Sequence, residues 1–164
     1  MSPVEVSLLL SSVVKRWNPD ARILDFCALT PDASLRRYYR LLLDGPGPHT
    51  AVAMVFDSVK CPEYDVGLAV PSDESYVELS SFLFARGVRV PELYFDARED
   101  AVLIIEDVGS RHLIDVFSER DSGERPEQSV EALYRQAIEQ IALIQRIVDD
   151  GSFFAFKRAF WEKP

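Results

Sequence analysis

The sequence predicts an α+β protein, built as a five-stranded antiparallel sheet with one helix between strands three and four and with further helices at either end. Three observations carry that expectation. Apolar residues recur at helical spacing in residues 4–17 and again in 130–148. Between them lie short runs rich in Ile, Leu, Val, Phe and Tyr, bounded by turn residues. One amphipathic stretch, residues 75–87, interrupts those runs.

Taken in order, Ser2-Pro3-Val4-Glu5 is a capping box, with Ser at the N-cap, Pro at the first helical position and Glu at the third. Val6, Leu9, Leu10, Val13, Val14 and Trp17 then mark one helix face that ends before Asn18-Pro19. Residues 22–29, 35–43 and 50–56 form three strands of a meander. The turns Thr30-Pro31-Asp32-Ala33 and Asp44-Gly45-Pro46-Gly47-Pro48 separate them. Residues 57–71 have no period and read as a surface loop. Ser75-Tyr76-Val77-Glu78 resembles a second capping box, opening a helix that Gly87 closes as its C′ residue.

Two more strands are expected at residues 92–96 and 101–106, joined by the charged turn Ala97-Arg98-Glu99-Asp100. The continuous apolar run Val102 to Ile105 suits a strand covered on both faces. A short helix around Leu113–Phe117 leads into a polar linker, 118–128. The last helix, Val130–Val148, has one broad apolar side and closes at Asp149-Asp150-Gly151. Phe153, Phe154, Phe156, Phe160 and Trp161 crowd the tail; so apolar a segment is expected to fold back on the domain or meet further protein.

Composition narrows the function classes. A chain of 164 residues supports a real core. A net charge of -9 argues against a general binder of nucleic-acid backbone. Cys27 and Cys61 have no paired spacing, and His49 and His112 lie far apart, so neither a disulfide framework nor a metal cluster is expected. No apolar run reaches the roughly 18 residues of a membrane span, and the N-terminus does not read as a signal peptide. The expectation is a soluble cytoplasmic protein.

The most unusual stretch runs from Asp32 to Leu41. Three arginines, Arg36, Arg37 and Arg40, fall within five residues of an acidic chain, beside a turn that frees backbone N–H groups and the Ser34 hydroxyl. Backbone donors with guanidinium forks suit a polyphosphate. Strand alternation puts Arg36, Tyr38 and Arg40 on one face and Arg37 and Tyr39 on the other. A solvated hairpin with its charges turned outward accounts for the same residues.

The segments DASLRRYYRL, TAVAMVF, SYVELSSFLFARGVRVPEL and AVLIIEDVG, in that order and spacing, resemble the N-terminal part of aminoglycoside-phosphotransferase-like kinases. Within that group the likeness is greatest to bacterial anomeric sugar kinases acting on N-acetylmuramate and N-acetylglucosamine, and it spans about Arg22 to Gln145. The resemblance implies a kinase-like N-lobe over residues 1–109, followed by the first helices of an incomplete C-lobe over 110–164. It implies ATP as cofactor, with Asp32, Ala33 and Ser34 taking the place of the glycine-rich loop, and with Leu41 and Ala53 at nucleotide-facing positions. Val52-Ala53-Met54-Val55 falls where protein kinases carry Val-Ala-Ile-Lys, so Val55 stands at the lysine position and Arg37 or Arg40 is expected to supply that charge.

Glu78 matches the family's ion-pairing glutamate, although a helix cap explains it equally. Glu106-Asp107-Val108-Gly109 matches the hinge, where the Glu106 carbonyl and the Val108 N–H would meet the adenine edge; an acidic turn ending a strand is the simpler alternative. His112 and Asp115 do not form the catalytic His-x-Asp loop, and both histidines read as surface residues.

Phosphoryl transfer in this fold needs an Asp for the acceptor and Asn and Asp ligands for Mg²⁺. These lie downstream in the family, and residues 152–164 contain no Asp, Asn or His. The expectation is a nucleotide-binding lobe without its catalytic loop, with the missing C-lobe or a second copy meeting the 153–161 tail. The alternative is a non-catalytic module that binds a nucleotide or a partner protein.

Overall fold

The computed structural model describes residues 1–30, 36–56, 72–121 and 129–149. The fold is α+β, with a five-stranded antiparallel sheet of order β1-β2-β3-β5-β4. The strands are β1 (Arg22–Ala28), β2 (Arg37–Asp44), β3 (Thr50–Val55), β4 (Leu93–Ala97) and β5 (Val102–Glu106). Helix α1 (Pro3–Trp17) precedes the sheet, α2 (Ser72–Phe84) is inserted between β3 and β4, and α3 (Leu113–Asp121) and α4 (Val130–Asp149) follow it. The expected turn at Asp32–Ser34, the loop 57–71 and the aromatic tail lie outside the described residues, as does most of the expected linker. Residues 118–121 of that linker belong to α3, which runs one turn further than its apolar residues suggest.

Contacts divide the chain into two units. The first comprises Met1–Val77 with Pro91–Asp107, the second Glu78–Val90 with Val108–Pro164. The division after β5 falls two residues before the expected boundary at residue 109, and α2 itself is split between the units.

In the first unit α1 starts as its sequence dictates. The Ser2 hydroxyl accepts from the Glu5 N–H, and the Glu5 carboxylate accepts from the Ser2 N–H at 2.6 Å. These bonds hold the Glu5 carboxyl below its usual range. Val6, Leu10, Val13 and Val14 bury the inner face of α1 against one face of the sheet, where they meet Leu41, Leu43, Ala51, Ala53, Val55, Val102 and Ile104. The last turn of α1 is tied to β4 and to the β4–β5 connection: Trp17 stacks on Tyr94 of β4 at 5.5 Å between centroids, and Arg16 pairs with Glu99 and Asp100 of the connection.

The other face of the sheet gathers Val52, Met54, Phe56, Leu103 and Ile105, with Leu29, Tyr38, Leu93 and the α2 residues Tyr76 and Val77 packed against them. The central strands β3 and β5 are therefore buried on both faces, as the uninterrupted run Val102–Ile105 anticipates.

The beginning of α2 departs from expectation. The helix starts at Ser72, so Ser75 and Glu78 lie inside it and not at its N-terminus; Ser72-Asp73-Glu74 extend the helix upstream of the motif. Its end agrees with expectation. Gly87 (φ +80°) is the left-handed C′ residue of a Schellman motif, with Val88 N–H donating to the Leu83 carbonyl and Gly87 N–H to the Phe84 carbonyl. In the second unit Phe82, Val88 and Ile147 form a small core with Leu83, Val90 and Leu143 around it. The Ser129 hydroxyl caps α4, accepting from the Ala132 N–H at 3.2 Å. Among the described residues no helix is long and apolar enough to cross a membrane.

Gly45, in the β2–β3 turn, has φ +119°, and a Cβ there would lie 2.7 Å from the Asp20 carbonyl oxygen. Gly87 shares the positive φ but opens onto free space. Gly45→Ala is therefore expected to cost about 1–3 kcal/mol and Gly87→Ala about 1 kcal/mol. Urea unfolding of the two variants checks the order, and a Gly45→Ala protein as stable as the parent would contradict the close approach.

Candidate functional site

Strand parity decides which residues can share a site. Across the sheet Arg37 is opposite Val55, Tyr38 opposite Met54, Tyr39 opposite Ala53, Arg40 opposite Val52 and Leu41 opposite Ala51. Residues directly opposite each other project to the same face. Arg40 thus shares a face with Val52, Ile105 and, on β1, Cys27, while Arg37 shares the α1 face with Val55. Arg37 and Arg40, the two alternatives for the missing lysine's charge, therefore project to opposite sides of the sheet, as strand alternation anticipates.

That parity relocates several expected site residues. Leu41, Ala53 and Val55 are fully buried in the α1 core. The face with α2 presents Val52 and Met54 instead, one position out of step with the Val-Ala-Ile-Lys alignment. Glu78 is exposed in the second turn of α2. Asp32, Ala33 and Ser34 lie outside the described residues. His49 and His112 are exposed, and Asp115 accepts the His112 N–H at 2.7 Å, capping α3.

The structure brings Arg40 to a residue named in the hinge motif but not expected to be a partner. Arg40 Nη2 donates to Asp107 Oδ1 at 2.9 Å. Its Nε lies 2.8 Å from Oδ2 but off the hydrogen-bond line, so that contact is chiefly electrostatic. The Asp107 side chain is only 7% exposed and that of Arg40 26%. A carboxylate so far out of water needs such a partner. The register explains the encounter: Asp107 has the parity of Ile105, and Ile105 lies across β3 from Arg40.

Beside this pair the end of β5 has a second irregularity. The Glu106 N–H donates to the Glu92 carbonyl at 2.8 Å. The return bond is not made to the Glu106 carbonyl; the Glu92 N–H goes to the Glu106 carboxylate at 3.1 Å. The side chain thus takes the donor that would have closed the ladder, and Val108 beyond it is 72% exposed. Burial first, and then the nearby charges of Glu106, Glu92 and Asp107, push the Tyr94 hydroxyl above its ordinary range. Among the described residues no three His, Cys, Asp or Glu side chains cluster to hold a metal ion.

At the other end of the same face Arg36 lies over two rings, Phe56 and Tyr76, each with its centroid 5.9 Å from the guanidinium carbon. This arginine joins the start of β2 to the first turns of α2. Tyr76 is pushed up by burial and by Tyr38, and pulled down by Arg36. A raised phenol favours the folded state while protonated. Its contribution is complete below about pH 10 and fades as pH rises through the folded value. Arg36→Ala is expected to cost about 1 kcal/mol and to move Tyr76 ionisation further up. Ultraviolet tyrosinate titration checks this, and an unmoved Tyr76 would refute the stacking. No family model matches the chain, and no curated protein or solved structure matches it.

Proposed function

We propose that this chain is the nucleotide-binding portion of an ATP-dependent small-molecule kinase, with a protein-kinase-like N-lobe. The acceptor class is a cell-wall amino sugar such as N-acetylmuramate or N-acetylglucosamine. The observation that carries the reading is the end of β5. There the Glu92 N–H donates to the Glu106 carboxylate and not to the Glu106 carbonyl. A carbonyl with a following N–H at Val108 is the donor–acceptor edge that an adenine requires. The helix inserted between β3 and β4, packed on the Arg40 face through Tyr76 and Val77, supports the same reading.

On this reading Arg40 does not replace the missing lysine, because its guanidinium is committed to Asp107. The charge that Val55 does not supply would then come from Mg²⁺. When bound, the metal would neutralise charge on the transferring phosphoryl group. A second reading, a non-catalytic module that binds a partner protein, is favoured by α4. Its Tyr134, Ile138 and Ile141 form an exposed apolar strip at spacings of four and three.

Isothermal titration of the chain with ATP, with and without Mg²⁺, separates the two. The kinase reading expects saturable one-to-one binding in which adenosine retains part of the affinity. It further expects N-acetylmuramate phosphorylation by a C-terminally extended protein. Absence of any nucleotide binding would leave the partner-binding module as the better account.

A further inference from the structure

We propose that the Arg40–Asp107 pair is a positioning device that aims the peptide after β5 at the base of a bound nucleotide, and that Arg40 is not a phosphate ligand; this rests on the nucleotide-binding reading above. The pair spans the sheet. Arg40 sits on β2 opposite Val52, Val52 sits opposite Ile105, and Asp107 follows Ile105 by two residues on the same face. Arg40 therefore reaches across β3 to take hold of the chain one residue after the last rung of the β3–β5 ladder, which pairs Ala51 with Glu106.

The location gives the pair its leverage. Up to Glu106 the chain direction is set by β3 on one side and Glu92 on the other. Gly109, with φ +86°, turns the chain two residues after Asp107. Between these points the Asp107 carboxylate is anchored back to the sheet by the hydrogen bond from Arg40 Nη2, with Nε 2.8 Å from its other oxygen. The planar guanidinium meets both carboxylate oxygens, one by hydrogen bond and one by charge, a geometry that a single lysine ammonium would not reproduce. The Glu106 carbonyl precedes Asp107 and the Val108 N–H follows it, so holding this side chain sets the orientation of both peptide groups.

The same geometry argues against a phosphate role for Arg40. Arg40 Nη2 is engaged by Asp107, whose side chain is 7% exposed, so an anion that drew the guanidinium away would weaken this bond. Both arms of the pair belong to the sheet unit, so its geometry is internal to that unit.

The test uses the whole 164-residue chain and the variants R40A, R40K and D107N, R40K and D107N being the conservative versions should R40A fold poorly. Affinities for adenosine, ATP and CTP are measured by calorimetry, and amide hydrogen exchange is followed at residues 107–109. The proposal expects R40A and D107N to weaken adenosine and ATP by the same factor, roughly tenfold or more, and to erode the preference for ATP over CTP. It also expects faster exchange at those amides in all three variants, with R40K showing that charge without the planar guanidinium does not suffice. A loss confined to ATP, with adenosine unaffected, would make Arg40 a phosphate ligand and overturn the proposal. Unchanged exchange at 107–109 in D107N would overturn it as well. Failure of the parent chain to bind any of the three ligands would instead defeat the nucleotide reading, and the exchange comparison would still decide whether the pair holds this peptide.

Discussion

The sheet unit depends on the burial of β3 from both sides. From Ala51 to Phe56 every residue is buried, and alternation sends the odd-numbered residues to α1 and the even-numbered ones to Tyr76 and Val77 of α2. A strand of this kind cannot slip by one residue without exchanging its two faces. The small residues Ala51 and Ala53 lie on the α1 side, where they let the helix come close, and the bulkier Val52, Met54 and Phe56 fill the other. Its neighbours inherit this parity through the register, and so do the arginines of β2.

That inheritance separates two kinds of charge in the molecule. Arg16 with Glu99 and Asp100 is an exposed cluster, which fastens the end of α1 to the β4–β5 turn and is worth at most about 1 kcal/mol. Arg40 with Asp107 is different because its acid is nearly removed from water. Breaking one partner of such a pair is costly even where the intact pair adds little net stability. A pair with that property specifies geometry better than it stabilises a fold. It lies where the sheet ends and the irregular chain begins.

The second unit is built on a thinner core. Phe82, Val88 and Ile147 are buried there, while Tyr134, Ile138, Ile141 and Ile144 of α4 remain exposed. The apolar side of α4 is broad: Val130 and Ile147 are buried and Leu143 packs beside Ile147. The Schellman turn at Gly87 and the bond from the Arg89 N–H to the Gln140 side chain give this small core its definition.

Local chemistry was legible from sequence alone. The capping box at Ser2, the glycine stop at Gly87 and the antiparallel sheet broken by one helix all follow from residue type and short-range spacing. The start of α2 was not, because Ser75 and Glu78 mimic a cap while the preceding polar residues prolong the helix. The two-sided burial of β5 was visible as an unbroken apolar run; which face of β3 met which helix was not. Alternation told that Arg37 and Arg40 diverge, but only the tertiary register decided that Arg37 faces α1 with Val55 and that Arg40 meets Asp107. The physical reason is sequence distance. Sixty-seven positions separate Arg40 from Asp107, and their encounter is set by the pairing of β2, β3 and β5, a long-range choice that no local pattern of residues encodes.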